Sequence, residues 1–160
     1  MRVSKIFFLL LLGIIIMVGC KSKDPLENKW SKERAWDWYN NYDWMVGSNF
    51  NPSTSINQLE FWQKDTFDPE TIERELEWSS EIGMNLHRVY LHNLLWGDSE
   101  GFIKRLDKYL SIADRYNIKT MFVLLDDVWH PIPKIGKQPE PIAHVHNSGC
   151  VQSPGAEILG

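Results

Sequence analysis

The sequence predicts an α/β fold of repeated strand-helix units around a parallel sheet. Three observations carry that expectation. Beyond residue 45, short apolar runs alternate with segments of helical periodicity. One helical segment has clear start and stop signals, with Asp68 and Pro69 at its head and Gly83 at its foot. The run Met121 to Leu125 is continuously apolar, as a parallel strand covered on both faces is.

Each element follows from its own residues. Trp30 to Trp44 reads WSKERAWDWYNNYDW, and this aromatic density predicts a first helix or helical turn covering one end of the fold. Trp44 to Gly47 is the first predicted strand, leading through Ser48-Asn49-Phe50-Asn51-Pro52 into a long loop that reaches Phe67. A helix then starts with Asp68 as N-cap, Pro69 in the first turn and Glu70 near the positive end of the dipole. Met84 to His92 is the second strand, with Arg88, Tyr90 and His92 on one face and His87, Val89 and Leu91 on the other. A second helix spans about Glu100 to Tyr116, where Phe102, Ile103, Leu106, Leu110 and Ala113 recur as a core-facing stripe. Ile118 to Leu125 is the third strand.

The strands begin near residues 45, 86 and 118. A (β/α)8 TIM barrel uses about 31 residues per unit, so these spacings predict the first three βα units of such a barrel, the first enlarged by its loop. Three strands cannot close a barrel, so the fold is expected to be incomplete in this chain. Residues 131–160 hold five of the eight prolines and read as an extended loop at the carboxyl end of the third strand, the end where barrels build their sites.

The N-terminus reads as an export signal. Arg2 and Lys5 precede thirteen residues, Ile6 to Val18, that are apolar apart from Gly13, shorter than the roughly 18 a spanning helix needs. Met17-Val18-Gly19-Cys20 follows and resembles the bacterial lipobox, which implies cleavage before Cys20 and acylation of that cysteine. The organisation expected is thus a lipoprotein signal peptide at 1–19, a tether at 20–29 and the N-terminal portion of a barrel at 30–160. An ordinary signal peptide with an incidental cysteine is the alternative. Residues 1–19 carry two of the 17 basic groups and none of the 21 acidic ones, which leaves 15 against 21, a net charge of −6. An acidic chain without a basic, aromatic-interleaved patch is not expected to bind nucleic acid. With Cys20 acylated, Cys150 has no internal disulfide partner.

Gly83-Met84-Asn85-Leu86-His87-Arg88 is the most informative stretch. A glycine ends a helix, an asparagine turns the chain, and an arginine enters a strand with apolar neighbours, where an unpaired guanidinium is unfavourable. This G-x-N-x-x-R pattern, with Leu91-His92-Asn93-Leu94-Leu95-Trp96 after it, resembles the clan A glycoside hydrolases, especially family 5 and its cellulase, mannanase and xylanase relatives. The resemblance runs from about Trp30 to Gly155 in its order of elements. It implies a retaining hydrolase of β-linked plant-type polysaccharide or oligosaccharide, in which Arg88 orients the nucleophile and helps keep it ionised. A salt bridge with no active-site role is the alternative for Arg88.

Family members often end the third strand with Asp closely followed by His. Here Leu125-Asp126-Asp127-Val128-Trp129-His130 supplies the acid and shifts the histidine, leaving Asp126 and His130 as candidates. Trp129, Trp62 and Trp96 fall in predicted strand-end loops, where indoles stack on sugar rings; packing is the competing role for each. Asn49 and His92 complete the expected substrate-binding set, although shaping the turn into Pro52 is the favoured role of Asn49 and Asn51.

Retaining hydrolysis requires two carboxyl groups roughly 5 to 5.5 Å apart. In clan A these glutamates end the fourth and seventh strands, and neither Glu140 nor Glu157 matches those positions, so no catalytic residue is assigned. No cofactor is expected. His144 and His146 with His130 fall short of a metal signature, and no phosphate-binding or dinucleotide glycine motif is present. The expectation is a membrane-anchored hydrolase fragment, inactive alone, with a polysaccharide or oligosaccharide as partner. A non-catalytic carbohydrate-binding surface lipoprotein is the rival.

Overall fold

The structure, a computed structural model, describes residues 29–159. Cys20 and the apolar run before it lie outside the described residues. The chain divides between Asp43 and Trp44 into two compact units. In the first, helix α1 (Lys32–Asn40) is capped by Ser31, whose hydroxyl accepts from the Arg34 amide at 3.2 Å. None of its side chains is buried. Its aromatics contact one another: Trp30 meets Trp38 edge-on, Trp36 meets Tyr39, and the Arg34 guanidinium lies 4.4 Å from the Trp30 ring centre.

The second unit is mixed α/β. Strands β1 (Gly47–Asn49), β2 (Leu86–Tyr90) and β3 (Lys119–Val123) form a parallel sheet in the order β1-β2-β3. Gly47 pairs with Leu86 and Asn49 with Arg88, while Arg88 also aligns with Met121. Between the strands run α2 (Gln58–Trp62), α3 (Pro69–Glu81), a 3-10 helix (Asn93–Asp98) and α4 (Ser99–Arg115); α5 (Ala156–Leu159) comes last.

Local chemistry accounts for these boundaries. Asp68 caps α3 by accepting from the Thr71 amide at 3.0 Å, and that bond chiefly holds its carboxyl below the usual range. Pro69 takes the first turn, and Gly83 ends the run at φ +86°, which a side chain rarely adopts. Asp98 caps α4 through the Gly101 amide at 3.3 Å and pairs with Arg105 at 3.1 Å, one turn further in. The motif asparagine, Asn85, stitches the sheet: its Oδ1 accepts from the Val46 amide at 2.8 Å and its Nδ2 donates to the Trp44 carbonyl at 3.0 Å.

Several expectations need correction. The first strand lies at 47–49, not 44–47: the Trp44 carbonyl and Val46 amide bond to the Asn85 side chain, and of residues 44–46 the Val46 carbonyl alone reaches β2, at the Leu86 amide. The loop before Phe67 contains α2, capped by Asn57, whose Oδ1 accepts from Leu59 and Glu60 amides. Its residues Leu59, Phe61 and Trp62 join Ile72, Leu76, Val89, Tyr109 and Ile112 in one core on the helical side of the sheet. On α4, Tyr109 and Ile112 are buried whereas Ile103 and Leu110 are exposed, so the stripe is rotated from the expected one.

The third strand is covered on one face only among the described residues. Met121 is 50% exposed, and Leu124 and Leu125, expected within the strand, lie beyond it and are exposed. In β2, His87 and Val89 enter the core while Arg88 faces out. After β3 the chain is largely irregular, as expected. Two isolated bridges, Asp126 with Ser153 and His130 with Val151, fold it back on itself.

Candidate functional site

The uncovered sheet face carries the most distinctive polar grouping. Parallel register places Asn49 beside Arg88, and the two-residue period places Tyr90 on the same side. The Arg88 guanidinium donates to the Tyr90 hydroxyl, lies 4.6 Å from the Tyr90 ring centre, and reaches Asn49 Oδ1 at 3.4 Å. It has no carboxylate partner among the described residues. The expectation of a buried arginine is therefore corrected: Arg88 is exposed, because nothing described covers this face.

Two expected substrate contacts are core residues instead. Trp62 is fully buried, stacked on Phe61 at 4.0 Å, with its indole N–H donating to the Tyr90 carbonyl at 2.9 Å. No indole face remains for a sugar. His92 is 2% exposed, and its Nδ1 accepts from the Leu94 amide at 3.2 Å. Its Nε2 faces the Gln152 carbonyl at 2.8 Å, an acceptor only, so the proton sits on Nε2. Burial holds its pKa below the usual histidine value, and the ring is a neutral strut between the 3-10 helix and the returning chain.

The remaining candidates stay accessible but scattered. Trp96, on the 3-10 helix, is 62% exposed with one edge against Phe102. Trp129 is held at φ +83° with its ring 5.5 Å from that of His146, and is 39% exposed. Asp126 is half-buried, its backbone paired with Ser153. His130 Nδ1 accepts from the Ile132 amide at 3.3 Å. No group of three or more His, Cys, Asp or Glu side chains with metal-holding geometry occurs among the described residues. Nor is any described helix long and apolar enough to cross a membrane.

Three amides missing from the expected site turn out to organise this region. Asn57 Nδ2 donates to Gln138 Oε1 at 3.0 Å and to the Gly149 carbonyl at 2.9 Å. Gln58 donates to the Val151 carbonyl at 2.9 Å, and Gln63 to the Gly136 carbonyl at 3.1 Å. The segment after β3 is thus fastened to α2. Cys150 lies in it as a free thiol, pushed up by burial and secondarily by Asp126.

Fold and site together define an α/β unit whose parallel sheet is helix-covered on one side and presents an arginine on the other. No family model, curated protein or solved structure matches the chain.

Proposed function

We propose that this chain supplies the N-terminal βα units of a lipid-anchored, retaining glycoside hydrolase barrel acting on β-linked plant-type polysaccharide or its oligosaccharides. The observation that carries the reading is Arg88. Its guanidinium is oriented by Tyr90 and Asn49 on a strand face, without a carboxylate partner among the described residues. Such a cation suits an acid supplied by further strands. A guanidinium beside a carboxylate favours the ionised form, which a nucleophile attacking an anomeric carbon requires. Asn49 and the exposed Trp129 fit sugar hydroxyls and ring faces. Acyl chains on Cys20 would hold the protein at a membrane, each buried methylene contributing roughly 0.8 kcal/mol.

The test compares the 160-residue chain with the product of a longer downstream reading frame on xylan, mannan and β-glucan. The chain alone should release no reducing sugar, since no pair of its carboxylates is assigned to the chemistry. The longer product should hydrolyse at least one substrate, with Arg88→Ala lowering kcat on the order of 10²-fold. Full activity in Arg88→Ala would remove the proposed role. Retention by soluble polysaccharide in affinity electrophoresis, without hydrolysis by either polypeptide, would favour the carbohydrate-binding lipoprotein. Labelled palmitate should enter the protein and be lost in Cys20→Ser.

A further inference from the structure

The segment after β3 encloses a pocket of about 380 Å³. Its lining includes the basic residues Lys134 and Lys137, the polar residues His130, Gln138 and Ser148, and the apolar Pro133, Pro139 and Val151. No Asp or Glu lines it, although the whole chain carries a net charge of −4. Neither lysine forms an ion pair among the described residues. We propose that this pocket binds the anionic substituent of an acidic sugar, a carboxylate or sulfate carried on one pyranose ring. The proposal rests on the carbohydrate reading above and adds a subsite whose lining residues are separate from Arg88, Asn49 and Tyr90.

Three physical features support it. First, two unneutralised ammonium groups favour an oxyanion, and lysine acts as a point charge that accepts carboxylate or sulfate without a bidentate fit. Second, the frame is preorganised. Gln138 is 3% exposed and donates to the Lys134 and Gly136 carbonyls at 3.0 and 2.8 Å, while accepting from Asn57. The backbone bearing Lys134 is thereby fixed to α2, and Gln58 fixes the opposite wall at Val151. A fixed frame lowers the entropy lost on binding. Third, the volume lies near the lower end of the roughly 300 to 1,000 Å³ range of ligand pockets, which suits a single ring whose C–H face meets the prolines.

Titrations of the full chain in detergent micelles with D-glucuronate, D-glucose 6-sulfate, D-glucose and inorganic sulfate test this. The sugar anions should saturate the pocket at least ~10-fold more tightly than glucose and weaken as salt is raised. Whichever anion binds more tightly identifies carboxylate or sulfate as the natural group. Lys134→Gln and Lys137→Gln should each weaken the anions about 5-fold, with Lys134→Arg restoring binding. Both lysines are exposed, so circular dichroism should remain that of the parent. Equal binding of glucose and glucuronate would overturn the proposal, and inorganic sulfate binding as tightly as the sugar anions would remove the sugar from it. Hydrolysis of neutral β-glucan by the longer product with no anion binding defeats the pocket alone. Anion binding with no hydrolysis defeats the hydrolase alone.

Discussion

His87 and His92 show how single buried side chains set the response of this fold to acid. His87 is 1% exposed, with Nδ1 on the Ser48 carbonyl at 3.3 Å and Nε2 buried without a partner. Burial lowers the pKa of both histidines, outweighing their carbonyl bonds. Folded values below the unfolded value of about 6.5 mean that the unfolded chain binds protons first as pH falls. Stability is therefore full above about pH 6.5 and drains as pH drops from there through the depressed folded values. The urea midpoint should fall between pH 7.5 and pH 5.5, and His87→Phe should flatten that fall. Asp68 and Asp98, whose pKa values are also lowered, lose their contributions only below about pH 4, so the windows separate. Gly47 is a second decisive residue: a Cβ there would stand 1.5 Å from the Leu86 carbonyl oxygen. Gly47→Ala must push β1 off β2, and chemical denaturation should show a loss of at least about 2 kcal/mol.

At the scale of elements, two kinds of information met different fates. Helix α3 was fully legible because its cap, first-turn proline and terminal glycine are contiguous signals. Asp68→Ala should cost about 1 kcal/mol, read from the same denaturation curves. Helix α2 is not legible as a helix because five residues carry too little periodicity, although Asn57 three residues before Glu60 marks a helix start. The roles of Trp62 and Trp129 were not separable in sequence, since both look like strand-end indoles. What decides them is partners elsewhere, Tyr90 for one and His146 for the other. The alternation in β2 pairs Arg88 with Tyr90 on one face, but His92 lies past the strand end, where the returning chain at Gln152 buries its ring. The amide fastening of the post-β3 segment was likewise invisible, because Asn57 and Gln138 stand 81 positions apart. That fastening makes its own prediction. Asn57→Ala removes two bonds to the segment together with the α2 cap, so limited proteolysis should cut within 131–149 many times faster than in the parent, while cutting within α4 stays unchanged.

At the scale of the whole second unit, the sheet has one finished side and one open side. Helices and aromatics seal the face bearing His87 and Val89, while Arg88 and Met121 occupy the other. Exposed apolar residues on a parallel sheet are unusual, because such sheets are normally buried on both faces. Barrel closure by further strands would turn this face into a packed interior. Methionine oxidation distinguishes that arrangement from a sheet that functions open. Met121 is exposed, whereas Met45 and Met84 are half-buried, so of these three dilute peroxide should convert Met121 to its sulfoxide first in the 160-residue chain. In the longer product the same residue should be protected by at least about tenfold, with Met45 and Met84 little changed. Mass spectrometry of tryptic peptides gives the three rates in one experiment. Equal oxidation of Met121 in both polypeptides would mean that the open face is a working surface, and Arg88 would then meet its partner from solution rather than from the rest of a barrel.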